Sequence, residues 1–190
     1  MGDDSQLDQS ALTAQLREAY GRTAYSHKVH EKDADRYFHR GRVVRTWKIV
    51  LSAVTAGGAA TTALGEGVLG AALAAITSTV LLILTTYMKE VDLGEIAQRH
   101  SETATRLWDV RETYLSLLAD LRDGTIDLQS ARKRRDEIQE EVRTVYQNAP
   151  RTSEKAYKKA QEALQLNEEL TFTEGELDRL LPPALRDTSS

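Results

Sequence analysis

Residues 49–65 read IVLSAVTAGGAATTALG, and residues 67–88 read GVLGAALAAITSTVLLILTTYM. Only Glu66 separates them, so uncharged runs of seventeen and twenty-two residues lie side by side. As α-helices they would extend about 26 Å and 33 Å, against a bilayer hydrocarbon core of about 30 Å. A single segment in hydrocarbon satisfies its own backbone hydrogen bonds only as a helix. The sequence therefore predicts an all-α membrane protein built on a two-helix transmembrane hairpin.

The charges beside the two spans predict the orientation of the hairpin. The connection Gly65-Glu66-Gly67 is short enough only for a tight turn, so both ends of the hairpin emerge on the same side. Lys and Arg concentrate on the cytoplasmic side of membranes, and Trp prefers the interface. We expect both termini in the cytoplasm, with these residues at the membrane boundary: Arg40, Arg42, Arg45, Trp47, Lys48 and Lys89.

Small and hydroxylated residues mark the two spans, and they allow helices to approach closely. On the first span Ala53, Gly57 and Thr61 are spaced by four, and a stripe contains Ser52, Thr55, Ala59 and Thr62. In an oligomer such a stripe would line a wet pore, whereas hydroxyls that bond back to carbonyls one turn earlier need no pore. The residues predicted to pack helices or line a pore are Ser52, Ala53, Thr55, Gly57, Gly58, Thr62, Gly70, Ser78 and Thr85.

The flanks predict cytoplasmic helices, with residues 1–48 before the hairpin (49–88), a helical bundle over 89–170 and a short helix and tail over 171–190. Leu12 to Trp47 reads as helix, and the second span is predicted to continue as one helix to about Arg122. Apolar positions alternating by four and three then predict a coiled-coil seam. Its partner is the N-terminal helix, the segment after Asp127 or another protomer, and its central residues are His100, Leu107, Arg111, Tyr114 and Leu118.

Helix ends in the second half follow from capping residues. Asp127 is predicted to cap a helix that ends near Asn148, and Thr152 or Ser153 to cap another that reaches about Leu170. A short last helix is expected between Phe172 and Leu181.

Composition and motifs exclude several classes of function. The net charge of −4 does not fit a strongly basic nucleic-acid binder, and the absence of cysteine excludes disulfides and thiolate metal sites. The start of the chain is acidic and polar, so no signal peptide is expected. His27-x-x-His30 is the only metal-like spacing, and zinc would need further convergent ligands. We expect no metal, no cofactor and no nucleic-acid partner.

The basic run Arg132-Lys133-Arg134-Arg135 allows two interpretations. It would bind phosphates if free, but acids follow on the neighbouring turns, which favours intrahelical pairs and a solvated face. No nucleophile elbow, Walker lysine loop or dinucleotide turn occurs, so the chain is not expected to be an enzyme.

Scattered motifs flank the two spans. They are Ala24-Tyr25-Ser26-His27-Lys28, Arg45-x-Trp47 ahead of a span containing Gly-Gly, and, after the second span, His100, Leu107-Trp108 and Arg111-Glu112-x-Tyr114-x-x-Leu117-Leu118. Over roughly residues 20–165 this arrangement resembles the SLATT domains, bacterial two-transmembrane modules with a long cytoplasmic helical part. The family has no catalytic motif to carry over. The resemblance implies the bacterial inner membrane and a role as effector of an antiphage or conflict system associated with nucleotide-signal synthases or nucleotide-sensing SLOG proteins.

Two functional hypotheses follow. In the first, the chain homo-oligomerises in the bilayer on a cytoplasmic, nucleotide-linked signal and forms a pore or disrupts the membrane, causing death or arrest of the cell. In the second, it is a non-enzymatic membrane scaffold that recruits a cytoplasmic partner through its coiled coil. A third possibility is a direct nucleotide receptor that uses the basic rows.

Overall fold

A computed structural model describes residues 2–63 and 68–182, and every regular element in these ranges is a helix. This confirms the all-α class. The helices are α1 (Gly2–Ala63), α2 (Val68–Glu90), α3 (Leu93–Asp123), α4 (Leu128–Asn148), α5 (Glu154–Gln165) and α6 (Glu174–Leu180).

Helix α1 is a single helix of 62 residues, about 93 Å long at 1.5 Å per residue. It runs through Gly21 and Gly41 and across the predicted boundary at residues 48/49 without interruption. A side chain at Gly21 would meet nothing within 4 Å, and one at Gly41 would meet Leu93 at an ordinary 3.7 Å. Neither glycine is required for a bend, so α1 extends from the helical bundle into the hairpin without a break.

The predicted continuous helix from the second span to Arg122 is wrong in one detail, because the helix is interrupted at Val91 and Asp92. The Asp92 side chain accepts hydrogen bonds from the backbone N–H groups of Gly94 and Glu95 at 2.9 Å. This N-cap restarts the chain as α3. An aspartate flanked by helix formers gave little sign of a break, since capping competes with helix continuation at this residue type.

The core of the helical bundle outside the hairpin lies between α1 and α3, which run antiparallel. Gln9 of α1 donates to the carbonyl of Leu121, and His27 contacts the carbonyl of Ala104. The N-terminal helix is therefore the partner of the seam on α3. The seam residues Leu107 and Tyr114 are buried, with Leu118 packed at the edge of a core formed by Leu12, Leu16, Ala19, Val110, Tyr114, Leu117, Leu121, Ala131 and Ile138.

Helices α4 and α5 begin at the predicted caps. Asp127 accepts from the backbone of Gln129 and Ser130, and the Ser153 hydroxyl accepts from the N–H of Ala156. Helix α5 ends at Gln165, earlier than the predicted Leu170. Beyond it the chain turns back, since Glu168 adopts a positive φ of 50° and the N–H of residue 169 bonds to the carbonyl of Ala163.

Candidate functional site

Helix α2 is an apolar surface with no protein cover. None of its residues is buried, and Leu69, Ile76 and Ile83 are each more than 60% exposed. The helical stretch that begins at Val68 has a mean hydropathy of 2.2 and is the one span-like segment within residues 2–63 and 68–182. Such a surface is stable in lipid and prone to aggregation in water. Helix α2 is therefore a membrane-spanning helix.

The other predicted span, 49–65, corresponds to the end of α1, and its last two residues and the turn Gly65-Glu66-Gly67 lie outside the described residues. Residues 49–63 are helical and pack antiparallel to α2. The Thr55 and Thr77 hydroxyl oxygens lie 2.8 Å apart across the pair. A Cβ built on Gly58 would lie 2.9 Å from the carbonyl oxygen of Gly70 and 3.2 Å from the Cβ of Ala74. Gly58 thus allows the two backbones to touch.

The hairpin divides the predicted small-residue set into two faces. Thr55, Gly58 and Gly70 lie between α1 and α2, while the others whose side chains are described face outward. A side chain at Gly57 would meet nothing within 4 Å. The outward residues are Ser52, Ala53, Gly57, Ser78 and Thr85; the side chain of Thr62 is not among those described. We name Ser52, Ala53 and Gly57 the outer small face.

The hydroxyls of the hairpin bond back to their own helices. Ser52 donates to the carbonyl of Lys48 at 2.7 Å, and Ser78 lies 3.0 Å from that of Ala75. This is the arrangement that needs no pore, and it leaves the hydroxyls compatible with lipid. The predicted boundary residues lie around the start of the hairpin, and all but Lys48, which is half-buried, are exposed. The exposed ones are Arg40, Arg42, Arg45, Trp47 and Lys89.

A buried polar network connects α1, α3 and α5 below the membrane. His30 and His100 are 3% and 1% exposed, and their Nδ1 atoms lie 3.0 Å apart. One ring must donate and the other accept, so the two imidazoles cannot both be protonated while the contact holds. The Tyr37 ring stacks on His100 with centroids 5.6 Å apart, and Arg36 lies over Tyr37.

Asp33 is the centre of this network and is fully buried. Its carboxylate accepts from the backbone N–H and the hydroxyl of Ser153, both at 2.8 Å, and pairs with Arg36 at 3.0 Å. Ser153 is also the N-cap of α5. A single carboxylate therefore fixes the start of α5 to α1.

Burial and the neighbouring His100 lower the pKa of His30 to about 4, and burial lowers that of His100, while Asp33 opposes both effects. A histidine with a lowered folded-state pKa stabilises the fold above its unfolded pKa of about 6.5 and loses that contribution as the pH falls toward 4. We expect the bundle to lose about 2 kcal/mol between pH 7.5 and pH 5 through His30. Thermal unfolding of the full chain in detergent at these pH values measures the loss.

The control for this pH effect is His39, which is exposed on the same helix. His30→Gln should flatten the dependence between pH 7.5 and 5, whereas His39→Gln should retain it. An unchanged slope in the His30 variant would show that other groups cause the acid sensitivity.

The other candidate sites of the sequence give no ligand set. Among the described residues no group of three or more histidines and acids is placed to hold a metal ion. His27 directs its Nδ1 to the carbonyl of Ala104 instead. In the basic run, Arg132 pairs with Asp8, Arg134 with Glu137 and Arg135 with Asp136. These ion pairs favour the interpretation of the basic run as a solvated face. The acid that pairs with Arg132 lies on α1 rather than on the same helix.

Two grooves on the helical bundle were not anticipated from the sequence. The first, of about 730 Å³, lies between α1 and α3 beside Phe38, Trp108 and Arg111; we name it the aromatic groove. The second, of about 550 Å³, lies between α1 and α5 beside Arg40, Lys155 and Lys159; we name it the basic groove. Lys32, Asp35 and Glu169 line both grooves.

Glu169 separates the two grooves by an ion-pair cluster. Its carboxylate lies 2.8 Å from the Nζ of Lys28 and 3.2 Å from that of Lys32. Hydrogen bonds from Lys28 and then Lys32 lower the pKa of this carboxyl. The three-residue spacing of His27, His30 and Asp33 was a sequence signal for a shared helix face. The approach of Glu169 depends on the turn after α5, in which Glu168 has a positive φ, and no sequence signal predicted it.

The comparison with known families agrees with this architecture. The profile of the SMODS and SLOG-associating 2TM effector domain family 4 matches residues 12–176, which is most of the chain and includes the hairpin and helices α3 to α5. No curated protein and no solved structure shows significant similarity to the chain. The chain belongs to the SMODS and SLOG-associating 2TM effector domain family 4, known as SLATT, and is a membrane effector.

Proposed function

We propose that the protein is a homo-oligomeric effector that permeabilises the bacterial inner membrane when a cytoplasmic, nucleotide-linked signal reaches its helical bundle. Both termini lie in the cytoplasm, and a nucleotide-signal synthase or sensor protein is the expected source of the signal. The family name supports this partner class, since it associates the domain with SMODS and SLOG proteins. The protein acts by assembly rather than by catalysis.

The observation that carries the proposal is the outer small face of the hairpin. Contacts inside the hairpin use Thr55 and Gly58, so Ala53 and Gly57 are not needed for folding the two helices against each other. Without a hydrophobic driving force between helices in lipid, small residues that permit close backbone approach are the usual basis of association. The outer small face is suited to contact a second copy of the hairpin.

Helix α1 supplies the mechanical connection. The same helix carries His30 and Asp33 in the bundle and Thr55 and Gly58 in the hairpin, with no break between them. A change in how α3 or α5 packs on α1 therefore reaches the membrane part without passing through a flexible linker. This supports control of assembly from the cytoplasm.

The alternative of a passive scaffold has less support. It depends on a seam that is free to recruit a partner, and the seam residues His100, Leu107 and Tyr114 are buried in contacts within the chain. Arg111 is also mostly buried, with its guanidinium paired to Glu112.

The test is membrane potential and dye entry in bacterial cells that express the native chain or Gly57→Leu, together with the candidate synthase. We expect depolarisation with the native chain and its loss in Gly57→Leu, because a bulky side chain blocks close approach of a second hairpin. The matched control is Ala72→Leu, which adds bulk at an exposed position of α2. Depolarisation that persists at equal membrane levels of Gly57→Leu would contradict assembly through this face.

A further inference from the structure

We propose that the aromatic and basic grooves together form one binding site for a nucleotide with two or more phosphates, and that Glu169 occupies the phosphate position in the unliganded protein. The inference rests on the proposed function and names the chemical class of its signal. It places the site on the α1, α3 and α5 surfaces rather than on the basic run of α4.

The aromatic groove presents rings suited to a base. Phe38 and Trp108 are each 46% exposed although they belong to the helical bundle, on α1 and α3 rather than on α2. Exposed aromatic faces beside cations are the usual platforms on which nucleobases stack. A volume of about 730 Å³ is within the size range of small-ligand pockets.

Cations continue from the aromatic groove into the basic groove. Lys28 and Lys32 are largely buried, with side chains 11% and 22% exposed, and both contact the carboxylate of Glu169. Lys28 also pairs with Glu31 at 2.8 Å, so a ligand that displaces Glu169 would leave Lys32 as the lysine without an acid. Beyond them lie Arg40, Lys155 and Lys159, for which the described residues provide no ion pair. The acids Asp35 and Glu162 offset only part of this charge.

The cluster at Glu169 resembles an anion site that is filled from within. A carboxylate between two lysines offers the same oxygen acceptors as a phosphate, but with one charge where a polyphosphate carries several. A nucleotide phosphate that replaces it would keep both lysines paired, gain the cations of the basic groove and release the linker between α5 and α6. Ion pairs with Asp8 of α1 and with Asp136 and Glu137 of α4 remove Arg132, Arg134 and Arg135 as a competing phosphate site.

The experiment measures binding to the purified full chain in lipid nanodiscs by calorimetry. The probes are ATP, GTP and cyclic diadenylate, with tripolyphosphate as the ligand that has the charge but no ring. We expect at least one nucleotide to bind more tightly than tripolyphosphate. Trp108→Ala should weaken the nucleotide about ten-fold or more and leave tripolyphosphate unchanged, because only the ring uses the platform.

The variant Glu169→Gln distinguishes best between an internal competitor of the phosphate and a residue with only a structural role. It removes the internal competitor, so nucleotide affinity should rise several-fold, whereas a residue with only a structural role would leave affinity unchanged or lower it. Glu168→Gln is the matched control, since Glu168 is exposed in the same turn and forms no ion pair in the described structure. Lys159→Glu should reduce affinity for nucleotide and tripolyphosphate alike.

Three results would overturn the inference. One is no binding of any nucleotide by the native chain and by Glu169→Gln. Another is equal binding of tripolyphosphate and nucleotide with no effect of Trp108→Ala. The third is binding that appears only in nanodiscs free of phosphatidylglycerol, which would assign the cations to a lipid headgroup. Binding without depolarisation in cells would instead contradict the proposed function and leave this site intact.

Discussion

Replacing Asp33 with alanine is expected to detach the start of α5 from α1 and to destabilise the helical bundle by about 3 to 5 kcal/mol. The carboxylate is fully buried and holds Ser153 by two hydrogen bonds and Arg36 by an ion pair. Its removal leaves a largely buried guanidinium without its acid, which is the costly half of breaking a buried pair. Hydrogen exchange of residues 150–166 in the full chain should become faster, together with a lower denaturation midpoint.

Two variants make the Asp33 result specific. Asp109→Ala removes an exposed carboxylate from α3 and should change neither exchange nor midpoint by more than about 0.5 kcal/mol. Asp33→Asn keeps the size of the side chain and one acceptor. Its exchange rate and denaturation midpoint should lie between those of Asp33→Ala and Asp109→Ala. Unchanged exchange in α5 with Asp33→Ala would mean that the apolar contacts of Val29 with Ala156 and Ala160 suffice to hold the helix.

Local signals in the sequence were strong where one residue decides the structure. Asp127 and Ser153 start helices because their side chains accept hydrogen bonds from the first turn, and the αL conformation of Gly124 ends α3. The uncharged runs over residues 49–65 and 67–88 likewise predicted the membrane segment, since length and absence of charge decide whether a helix can span the hydrocarbon core. Asp92 shows where local prediction fails, because an aspartate can either lie inside a continuous helix or cap a new one.

Tertiary contacts were beyond the sequence for a physical reason. Periodicity placed His100 and Tyr114 on one face of α3, but three partners remained open, and only the packed structure shows that α1 covers them. The contact between His30 and His100 joins residues seventy positions apart, and that between Asp33 and Ser153 joins residues 120 apart. These contacts depend on the register between the packed helices, and a shift of one residue along either helix would break them. The division of Gly57 and Gly58 between two faces follows from the same register.

Gly58→Leu is the second large effect that the structure predicts, because it forces α1 and α2 apart. A Cβ at this position would stand 2.9 Å from the carbonyl oxygen of Gly70, and the obstacle is backbone that cannot rotate away. We expect the hairpin to separate near Thr55 and Thr77. A disulfide between Thr55→Cys and Thr77→Cys measures this directly, since the chain has no other cysteine and the two hydroxyls lie 2.8 Å apart. Its rate of formation should fall about five-fold or more, as expected for overpacking of about 1 to 3 kcal/mol.

Gly57→Leu is the matched variant, because it adds the same side chain one residue away where nothing lies within 4 Å. In Gly57→Leu the disulfide should form at the same rate as in the chain that retains Gly57, while permeabilisation is lost. Gly58→Leu should lose both, since a separated hairpin also displaces the outer small face. If Gly57→Leu slowed the disulfide as much as Gly58→Leu, the two glycines would share one face, and the assignment of Gly57 to contacts between copies would be wrong. An unchanged disulfide rate in Gly57→Leu together with lost depolarisation would establish that folding of the hairpin and assembly of hairpins use different sides of α1.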